Sequence, residues 1–203
     1  MGANRWKMFQ QNPFRMIGTF APSSKFLAQA MIRPICSQSS QRILEVGAGT
    51  GAITKYLAKR MAHSSHLDVV EIVPAFARLL KLRYNKANID IFCEDVLKLH
   101  NYDSYDVIIS SLPFNSLPSS LTKALIEHLI KLAKDGASFS FFEYKGLSRL
   151  VSAFLNEDAL VRYRETRHHI DQFIHEYQND EAIVKINIPP ALVHYLSIDK
   201  NGA

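Results

Sequence analysis

Three alternating glycines follow a short apolar segment in the first quarter of the chain. They are Gly47, Gly49 and Gly51, within the sequence ILEVGAGTGAIT at residues 43–54. Because glycine has no Cβ, such a loop can adopt unusual backbone angles and let the main chain approach a ligand closely. A tight strand-to-helix turn without a ligand has the same spacing, so the loop alone does not establish a site.

Four carboxylates occupy positions that could complete a ligand site around this loop. Glu45 precedes the first glycine and could meet a ligand ammonium group. Glu71 ends the second predicted strand, where an acidic side chain can accept both hydroxyl protons of a ribose. Glu94 and Asp95 end the third predicted strand, where a carboxylate could bind the exocyclic amine of adenine. Each alone could be a surface carboxylate, but together they match an adenosine that carries an amino acid.

The hydrophobic pattern predicts the elements that must position these residues. Strands are predicted at 42–46, 67–72, 89–93, 105–112 and 137–144, and helices at 52–62, 75–84 and 119–134, with Gly136 placed to end the last. An earlier helix, capped by Ser23 or Ser24, stops at Pro34. One or two helices between Gly146 and Tyr177 precede an antiparallel pair at 182–188 and 192–198. Alternating strands and helices require crossover connections, which predict a mainly parallel sheet with helices on both faces.

Composition and cysteine usage restrict the class of protein. A chain of 203 residues with 47% apolar and 21% charged side chains indicates one globular domain, without low-complexity segments. Charges interrupt every apolar stretch before the roughly 20 residues that a spanning helix needs, so we expect no membrane crossing. Cys36 and Cys93 lack metal-ligand spacing, which argues against structural zinc and predicts buried, inert thiols in a reducing cytosol. No metal site is expected.

The first 44 residues contain no Asp or Glu. Their basic residues include Arg5, Lys7, Arg15, Lys25, Arg33 and Arg42. Such a segment should be attracted to nucleic acid or to an acidic membrane surface. Ala3, Trp6 and Phe9 would share one helical stripe flanked by Arg5 and Lys7, as in an interfacial helix. A helix that packs Trp6 on the domain would show the same pattern, and a basic face exposed to water is the simplest alternative.

Four segments together resemble motifs I to IV of the class I S-adenosylmethionine-dependent methyltransferases. They are LEVGAGTGAIT, DVVEIVP, IFCEDVL and YDVIISSLPF. Rossmann dehydrogenases carry GxGxxG, whereas the third glycine comes one residue earlier here. The resemblance implies a Rossmann-like, seven-stranded, mostly parallel sheet with an antiparallel edge strand, with S-adenosylmethionine as cofactor and S-adenosylhomocysteine as product. It implies cofactor contacts from Phe20, Ser24, Glu45, Gly47, Gly49, Gly51, Glu71, Ile72, Glu94, Asp95, Val96, Ser110 and Leu112.

Three further stretches are similar to the soluble bacterial phosphatidylethanolamine N-methyltransferases. They are GTFAPSSKFLAQAM, SSLPFNSLP and NIPPALVHYL. This resemblance implies stepwise methylation of phosphatidylethanolamine toward phosphatidylcholine by a monomer, cytoplasmic and peripheral on the inner face of the cell membrane. It implies an anionic membrane surface and no stable nucleic acid as partners. Residues 1–22 would then form an amphipathic membrane-association segment, and residues 23–203 the methyltransferase domain.

Two alternatives remain open at this point. Adenine dimethylases of ribosomal RNA carry Asn-Leu-Pro-Tyr where this chain has Ser111-Leu112-Pro113-Phe114, and a serine lacks the amide acceptor of Asn. An RNA adenine N6-methyltransferase is therefore the alternative enzyme. A non-catalytic cofactor-binding or membrane-adaptor protein is the alternative from another class. The acidic rim argues against the latter, because a site without a ligand gains nothing from keeping buried carboxylates.

Methylation of a lipid amine requires a group that takes its proton, because an ammonium nitrogen has no free electron pair. Tyr144, at the end of the fifth predicted strand, is the expected acceptor, with His168 and His169 as the alternatives. The resemblance adds Ser111 and Phe114 as catalytic residues, with Phe114 as an aromatic wall that favours a cationic product. Candidates for binding the lipid phosphate are Lys145, Arg149 and Lys25.

Overall fold

Strands and helices alternate along the first two thirds of the chain, as the hydrophobic pattern predicts. The computed structural model describes residues 24–145, 157–187 and 189–201. The strands are β1 Arg42–Val46, β2 His66–Val70, β3 Ile89–Phe92, β4 Tyr105–Ser110, β5 Ala133–Tyr144, β6 Gln178–Val184 and β7 Ala191–Ile198. The helices are α1 Lys25–Met31, α2 Thr54–Arg60, α3 Pro74–Arg83, α4 Ser119–Leu132 and α5 Glu157–Tyr177. Short 3-10 helices, Val96–Lys98 and Phe114–Ser116, follow β3 and β4.

All seven strands form one sheet in the order β3-β2-β1-β4-β5-β7-β6. Strands β1 to β5 pair in parallel, and β7 runs antiparallel to both β5 and β6. The Rossmann-like, mostly parallel sheet predicted from the sequence is confirmed, including the terminal antiparallel pair. In a sheet of this kind the carboxyl ends of β1 to β5 share one edge, where ligands bind.

Each face of the sheet is covered by helices that bury one apolar side. Leu125, Ile126, Leu129 and Leu132 recur at helical spacing on α4 and pack with Ile170 and Phe173 of α5 against one face. Helices α1, α2 and α3 cover the other face through Leu27, Met31, Leu57 and Leu80. Ser24 caps α1 as predicted, because its hydroxyl oxygen accepts the N–H of Leu27 at 3.2 Å. The site described below lies between these two layers.

The junction between α4 and β5 differs from its prediction. Helix α4 ends at Leu132, and β5 begins at once with Ala133 instead of at residue 137. The carbonyl of Leu132 accepts the N–H of Ser104, so the segment before β4 satisfies the end of the helix. Gly136 lies inside β5 with φ +73°, where the pairing of β4 with β5 shifts register, and does not end the helix. The predicted helix is two residues too long, because no local sequence signal marks the contact between Ser104 and Leu132.

The prediction of buried cysteines is wrong. Cys36 and Cys93 are both exposed. Cys36 lies in the loop before β1, and Cys93 comes directly after β3, which is an edge strand and leaves one side open to solvent. Hydrogen bonding by Ser39 and Gln38 lowers the pKa of Cys36. Among the described residues, no helix combines the length and apolar character needed to cross a membrane.

Candidate active site

The glycine loop, Glu71 and the segment after β4 meet at the carboxyl edge of the sheet. The N–H of Gly47 donates to the carbonyl of Val70 at 2.9 Å, so the loop leaves β1 beside the end of β2. The N–H of Ser111 donates to the carbonyl of Val46, also at 2.9 Å. The first turns after β1, β2 and β4 therefore border one cleft, as the topology requires.

The three glycines have different roles. All three have positive φ, at +74° for Gly47, +55° for Gly49 and +87° for Gly51. A Cβ on Gly51 would lie 2.8 Å from Leu80 Cδ2, and one on Gly47 would lie 3.2 Å from Leu112 Cδ2. These two glycines permit close packing inside the protein. A Cβ on Gly49 would meet no atom within 4 Å, so Gly49 is the glycine that borders open space where a ligand could pass.

Glu71 fastens the loop to the end of β2. Its Oε2 accepts the N–H of Gly49 at 2.7 Å, and its Oε1 accepts the N–H of Val73 at 2.8 Å. Burial raises the pKa of Glu71, and the N–H groups of Val73, Gly49 and Ile72 only partly offset that effect. Each carboxylate oxygen has a second lone pair, so the bonds to the backbone leave acceptors for ribose hydroxyls.

Glu45 is a buried carboxylate without a hydrogen-bond partner among the described residues. Its side chain is fully buried, and neither oxygen accepts a hydrogen bond. Burial raises its pKa to about 8, while the nearby hydroxyl and N–H of Thr54 lower it and Glu71 adds to the rise. Because an unpaired buried carboxylate is costly, this arrangement leaves a place for a cation from a ligand.

The remaining predicted cofactor residues border the same cleft or cap the elements around it. Asp95 accepts the N–H of Leu97 at 3.1 Å at the start of the 3-10 helix, and Glu94 pairs with Lys98 at 3.2 Å. Val96 is buried, Ile72 and Leu112 are half-buried, and the hydroxyl of buried Ser110 accepts the N–H of Leu112 at 3.3 Å. The predicted cofactor role of Ser24 stays a prediction, and Phe20 lies outside the described residues.

The predicted aromatic wall needs correction. Phe114 is only 3% exposed, and its ring meets Phe141 edge-to-face with the centroids 5.6 Å apart. The ring lies in the apolar core because the 3-10 helix turns it inward, and Thr122 of α4 donates a hydrogen bond to the Phe114 carbonyl at 3.1 Å. Phe114 therefore shapes the end of β4 from inside the protein and does not face a cation. Ser111 is half-buried beside it, and its catalytic role stays a prediction.

A largely buried ionic network follows this corner, and we call it the Glu143 network: Glu143, Asn115, Arg167 and His194. Oε1 of Glu143 accepts hydrogen bonds from Asn115 Nδ2 at 2.6 Å and from Arg167 Nη1. Oε2 lies 3.0 Å from His194 Nε2. Burial by itself would raise the pKa of Glu143, but His194, Arg167 and Asn115 outweigh it and hold the pKa at about 2. Glu143 is therefore ionised at neutral pH.

Tyr144 follows Glu143 in the chain, and its side chain lies on the opposite face of β5. Its ring contacts Phe142 edge-to-face at 5.3 Å, and burial raises the pKa of its hydroxyl, partly offset by Asn187. A raised pKa keeps the hydroxyl protonated at neutral pH. Tyr144 can therefore accept a hydrogen bond from an amine but cannot act as an anionic base there.

The other predicted substrate residues lie toward solvent. His168 is exposed and His169 half-buried on α5, with their ring centroids 5.8 Å apart. Lys145 and Lys25 are both exposed, and the ammonium group of Lys25 lies over the ring of Phe26. Arg149 lies outside the described residues.

One group of side chains in the described part of the chain has metal-ligating spacing. It consists of His66, Asp68 and Asp90. These residues lie near the amino ends of β2 and β3, away from the glycine loop. Asp68 already accepts hydrogen bonds from Tyr105 at 2.8 Å and from Arg42 at 3.1 Å, so the group is satisfied without an ion.

Known proteins are similar to this chain over the segment that contains the glycine loop. Residues 43–136 match the family described as "Methyltransferase domain". The ornithine lipid N-methyltransferase of Singulisphaera acidiphila is 34% identical over 131 residues, which cover 61% of this chain and 68% of that protein. The malonyl-[acyl-carrier protein] O-methyltransferase of Bacillus cereus is 35% identical over 57% of this chain but only 43% of its own length. Probable ribosomal RNA small subunit methyltransferases of Methanosarcina species match over 111 residues.

This chain belongs to the class I S-adenosylmethionine-dependent methyltransferases. The fold agrees, since the N-methyltransferase NodS from Bradyrhizobium japonicum, solved in complex with S-adenosylhomocysteine, superposes with a TM-score of 0.67. That superposition covers 93% of this chain and 92% of NodS, at 15% identity. The enzyme is therefore a methyltransferase that uses S-adenosylmethionine.

The residues at the cleft of this methyltransferase fit that cofactor. The unpartnered carboxylate of Glu45 suits the ammonium of the methionine portion, and Glu71 keeps acceptors for the ribose hydroxyls. The open space at Gly49 allows the ligand to pass close to the backbone. When bound, the cofactor supplies a methyl group on a positively charged sulfur.

Sequence reasoning missed the Glu143 network. Its members come from the 3-10 helix after β4, from β5, from α5 and from β7. A signal was present, because Glu143 in SFSFFEY and His194 in ALVHYL are polar residues inside otherwise apolar strands. Buried polar groups in such positions need partners, and the partners lie far away in the sequence.

Proposed function

We propose that this methyltransferase transfers methyl groups to the amine of a membrane aminolipid, with phosphatidylethanolamine as the substrate and stepwise conversion toward phosphatidylcholine. The observation that carries the proposal is the 34% identity to an ornithine lipid N-methyltransferase over 68% of that protein's length. Both lipids present an amino group beside a membrane surface. The choice of phosphatidylethanolamine rests on the three stretches described under Sequence analysis.

The surface at the carboxyl edge of the sheet supports a lipid substrate. The turn between β6 and β7 lies at this edge, because Tyr144 pairs with Ala191 and the N–H of Lys145 donates to the Pro190 carbonyl at 2.7 Å. Ile186 in this turn is 67% exposed, beside exposed Lys185. An exposed apolar side chain beside a lysine suits the boundary between acyl chains and phosphates.

The chemistry requires a neutral amine. Its nitrogen lone pair forms the new N–C bond while the C–S bond breaks and its electron pair stays on sulfur, and the methylated ammonium then releases a proton to water. Tyr144 would accept a hydrogen bond from the amine and orient it, because its hydroxyl stays protonated. Exposed Lys145 and Lys25 remain the described candidates for attracting the lipid phosphate. We propose a monomer that binds the inner face of the cell membrane through residues 1–22.

Label transfer tests the substrate class. The enzyme would be incubated with a methyl-labelled donor and, in separate reactions, with vesicles of phosphatidylethanolamine and phosphatidylglycerol, with ornithine lipid, or with ribosomal RNA. Label in phosphatidylethanolamine supports the proposal. Label confined to ornithine lipid would correct the substrate, and label confined to RNA would replace the proposal with the adenine methyltransferase alternative.

The Trp6→Ala/Phe9→Ala double variant tests the membrane segment. Losing both rings should weaken vesicle binding by about 2–5 kcal/mol of apolar transfer energy, while activity on lipid dispersed in detergent remains. Sedimentation with anionic vesicles measures the binding. Leu82→Ala is the matched control, because Leu82 is an exposed apolar residue on α3, 84% exposed. Parental sedimentation of the double variant would contradict a membrane role for residues 1–22.

A further inference from the structure

In the side-chain amide of Asn115, the nitrogen has a hydrogen-bond partner among the described residues and the oxygen has none. Its Nδ2 donates to Glu143 Oε1 at 2.6 Å, whereas Oδ1 is buried and has no hydrogen-bond partner among the described residues. A buried carbonyl oxygen without a partner is costly, and native proteins retain few of them. Asn115 directly follows the corner formed by Ser111 to Phe114, where the Ser111 N–H donates to the Val46 carbonyl at 2.9 Å, next to the glycine loop.

The Glu143 network determines which amide atom is left free. An ionised carboxylate only accepts hydrogen bonds, so Asn115 must present its NH₂ group to Glu143. Arg167 and His194 hold Glu143 in place on its other sides, and the guanidinium of Arg167 is itself held by Asp171 at 2.6 Å. Rotation of the Asn115 amide by 180° would place two acceptors against each other. Oδ1 is therefore directed away from Glu143.

The backbone of Asn115 is held from two helices. The 3-10 helix around it is closed by the bond from the Ser116 N–H to the Pro113 carbonyl at 2.8 Å. Thr122 of α4 donates to the Phe114 carbonyl at 3.1 Å, and Thr166 of α5 donates to the Leu117 carbonyl at 3.3 Å. The amide oxygen is thus positioned before any ligand binds, and such preorganisation lowers the cost of orienting a substrate.

We propose that Asn115 Oδ1 accepts a hydrogen bond from the substrate amine and that Glu143 is the positioning residue that orients it. The inference rests on the proposed function, because it assigns a contact to the lipid amine. A neutral primary amine has two N–H groups, and turning its lone pair toward the methyl carbon requires acceptors for them. Oδ1 of Asn115 accepts one of them. The amide oxygen compensates for Ser111, which offers no amide.

The number of N–H groups on the substrate gives the proposal a specific test. Phosphatidylethanolamine as a neutral amine has two N–H groups, whereas its N,N-dimethyl derivative has none. Asn115→Ala should therefore reduce kcat on phosphatidylethanolamine about 10- to 100-fold, the usual range for one lost hydrogen bond of this kind. On the dimethyl lipid its kcat should remain near that of the parent. A purely structural role would reduce both rates equally.

The experiment measures kcat and KM for both lipids in detergent, together with S-adenosylhomocysteine affinity by calorimetry and thermal unfolding. Asn179→Ala, an exposed asparagine on β6, is the matched control and should behave like the parent. Glu143→Gln allows the Asn115 amide to turn, so it should show the same preference for the dimethyl lipid. Glu143→Asp keeps an acceptor-only group and should recover part of the lost rate.

Three outcomes would overturn the inference. Parental kcat of Asn115→Ala on phosphatidylethanolamine would remove the contact, and equal losses on both lipids would reduce Asn115 to a structural role. If Asn115→Ala does not fold, Glu143→Gln decides by the same ratio of rates. A parent enzyme that methylates no aminolipid would refute the proposed function and the inference together, and the parent alone would show that result.

Discussion

Two carboxylates of the sheet, Glu45 with no exposure and Glu143 with 12%, show how partners decide the ionisation state of an acid. Glu45, on β1, has no hydrogen-bond partner in the described part of the chain, and burial raises its pKa to about 8. Glu143, on β5, is held by Arg167, His194 and Asn115, and its pKa falls to about 2. Desolvation opposes ionisation in both, and only Glu143 has cations and donors that outweigh it.

This contrast distinguishes a carboxylate that binds a ligand from one that positions neighbouring side chains. A carboxylate that is largely protonated at neutral pH becomes ionised when a ligand brings a cation, so Glu45 suits the ammonium of the cofactor. A carboxylate that is already paired has little left to offer a ligand, so Glu143 orients its neighbours instead. The carboxylate of Glu45 therefore gains its partner from the ligand, whereas the carboxylate of Glu143 has its partners within the protein.

Breaking the Glu143 network should have the largest effect. Glu143→Ala leaves buried His194 without its carboxylate and takes one of two carboxylates from half-buried Arg167, and we expect a loss of about 3 kcal/mol in the free energy of unfolding at pH 7. Urea unfolding measures it. Asp171→Ala removes the other carboxylate from Arg167, but that side chain is 57% exposed, so a loss below about 1 kcal/mol is expected.

The pH dependence of the same stability has a definite sign. The pKa of Glu143 is lowered from 4.5 to about 2, so its contribution is complete above pH 4.5 and is lost as the pH falls toward 2. Glu143→Ala should flatten the stability curve in that window. If the variant unfolds like the parent at pH 7, the network contributes nothing and the contrast with Glu45 fails.

Blocking the open space at Gly49 should have the next largest effect, on cofactor binding. Gly49→Val should weaken S-adenosylhomocysteine binding at least about 100-fold, or about 2.7 kcal/mol, because the side chain would fill the ligand path. Gly136→Val is the matched control, since Gly136 also has positive φ and no atom within 4 Å of a built Cβ. Both variants pay a similar backbone strain of about 1–2 kcal/mol in stability.

Calorimetry separates the two variants. Gly136 lies in β5 next to the register shift and away from the glycine loop, so Gly136→Val should bind S-adenosylhomocysteine like the parent. Equal affinity of Gly49→Val and Gly136→Val would show that the ligand does not pass along Gly49.

Proton release on cofactor binding should be the smallest and most specific effect. The pKa of Glu45 is raised from 4.5 to about 8, so the folded protein without ligand should lose about 1 kcal/mol of stability as the pH rises from 7 to 8. Binding of S-adenosylhomocysteine at pH 7 should then release about one proton, because the ligand ammonium restores ionisation. Calorimetry in two buffers of different ionisation enthalpy measures the release.

Glu45→Gln is the matched control for this linkage. The amide keeps the shape of the protonated acid, so both the proton release and the stability loss between pH 7 and 8 should disappear, with weaker binding. If Glu45→Gln releases as many protons as the parent, the proton comes from another group.

The sequence by itself determined the cofactor side of the enzyme. The alternation of strands and helices predicted the parallel sheet, and the carboxyl ends of neighbouring strands in such a sheet must share an edge. Glu45, Gly49 and Glu71 each lie within a few residues of a predicted strand end. The predicted topology alone therefore places them at the same edge of the sheet. Local sequence patterns suffice to place these three residues, since secondary structure and sheet topology determine where each strand ends.

Only the tertiary structure decided the Glu143 network. Glu143 finds Asn115, Arg167 and His194 at separations of 28, 24 and 51 residues, and no local pattern relates such positions. The same packing turned Phe114 into the core, left Cys36 and Cys93 exposed and placed Gly136 inside β5. A buried charge needs its partners at hydrogen-bond distance in space, and side-chain packing between distant elements alone brings them there.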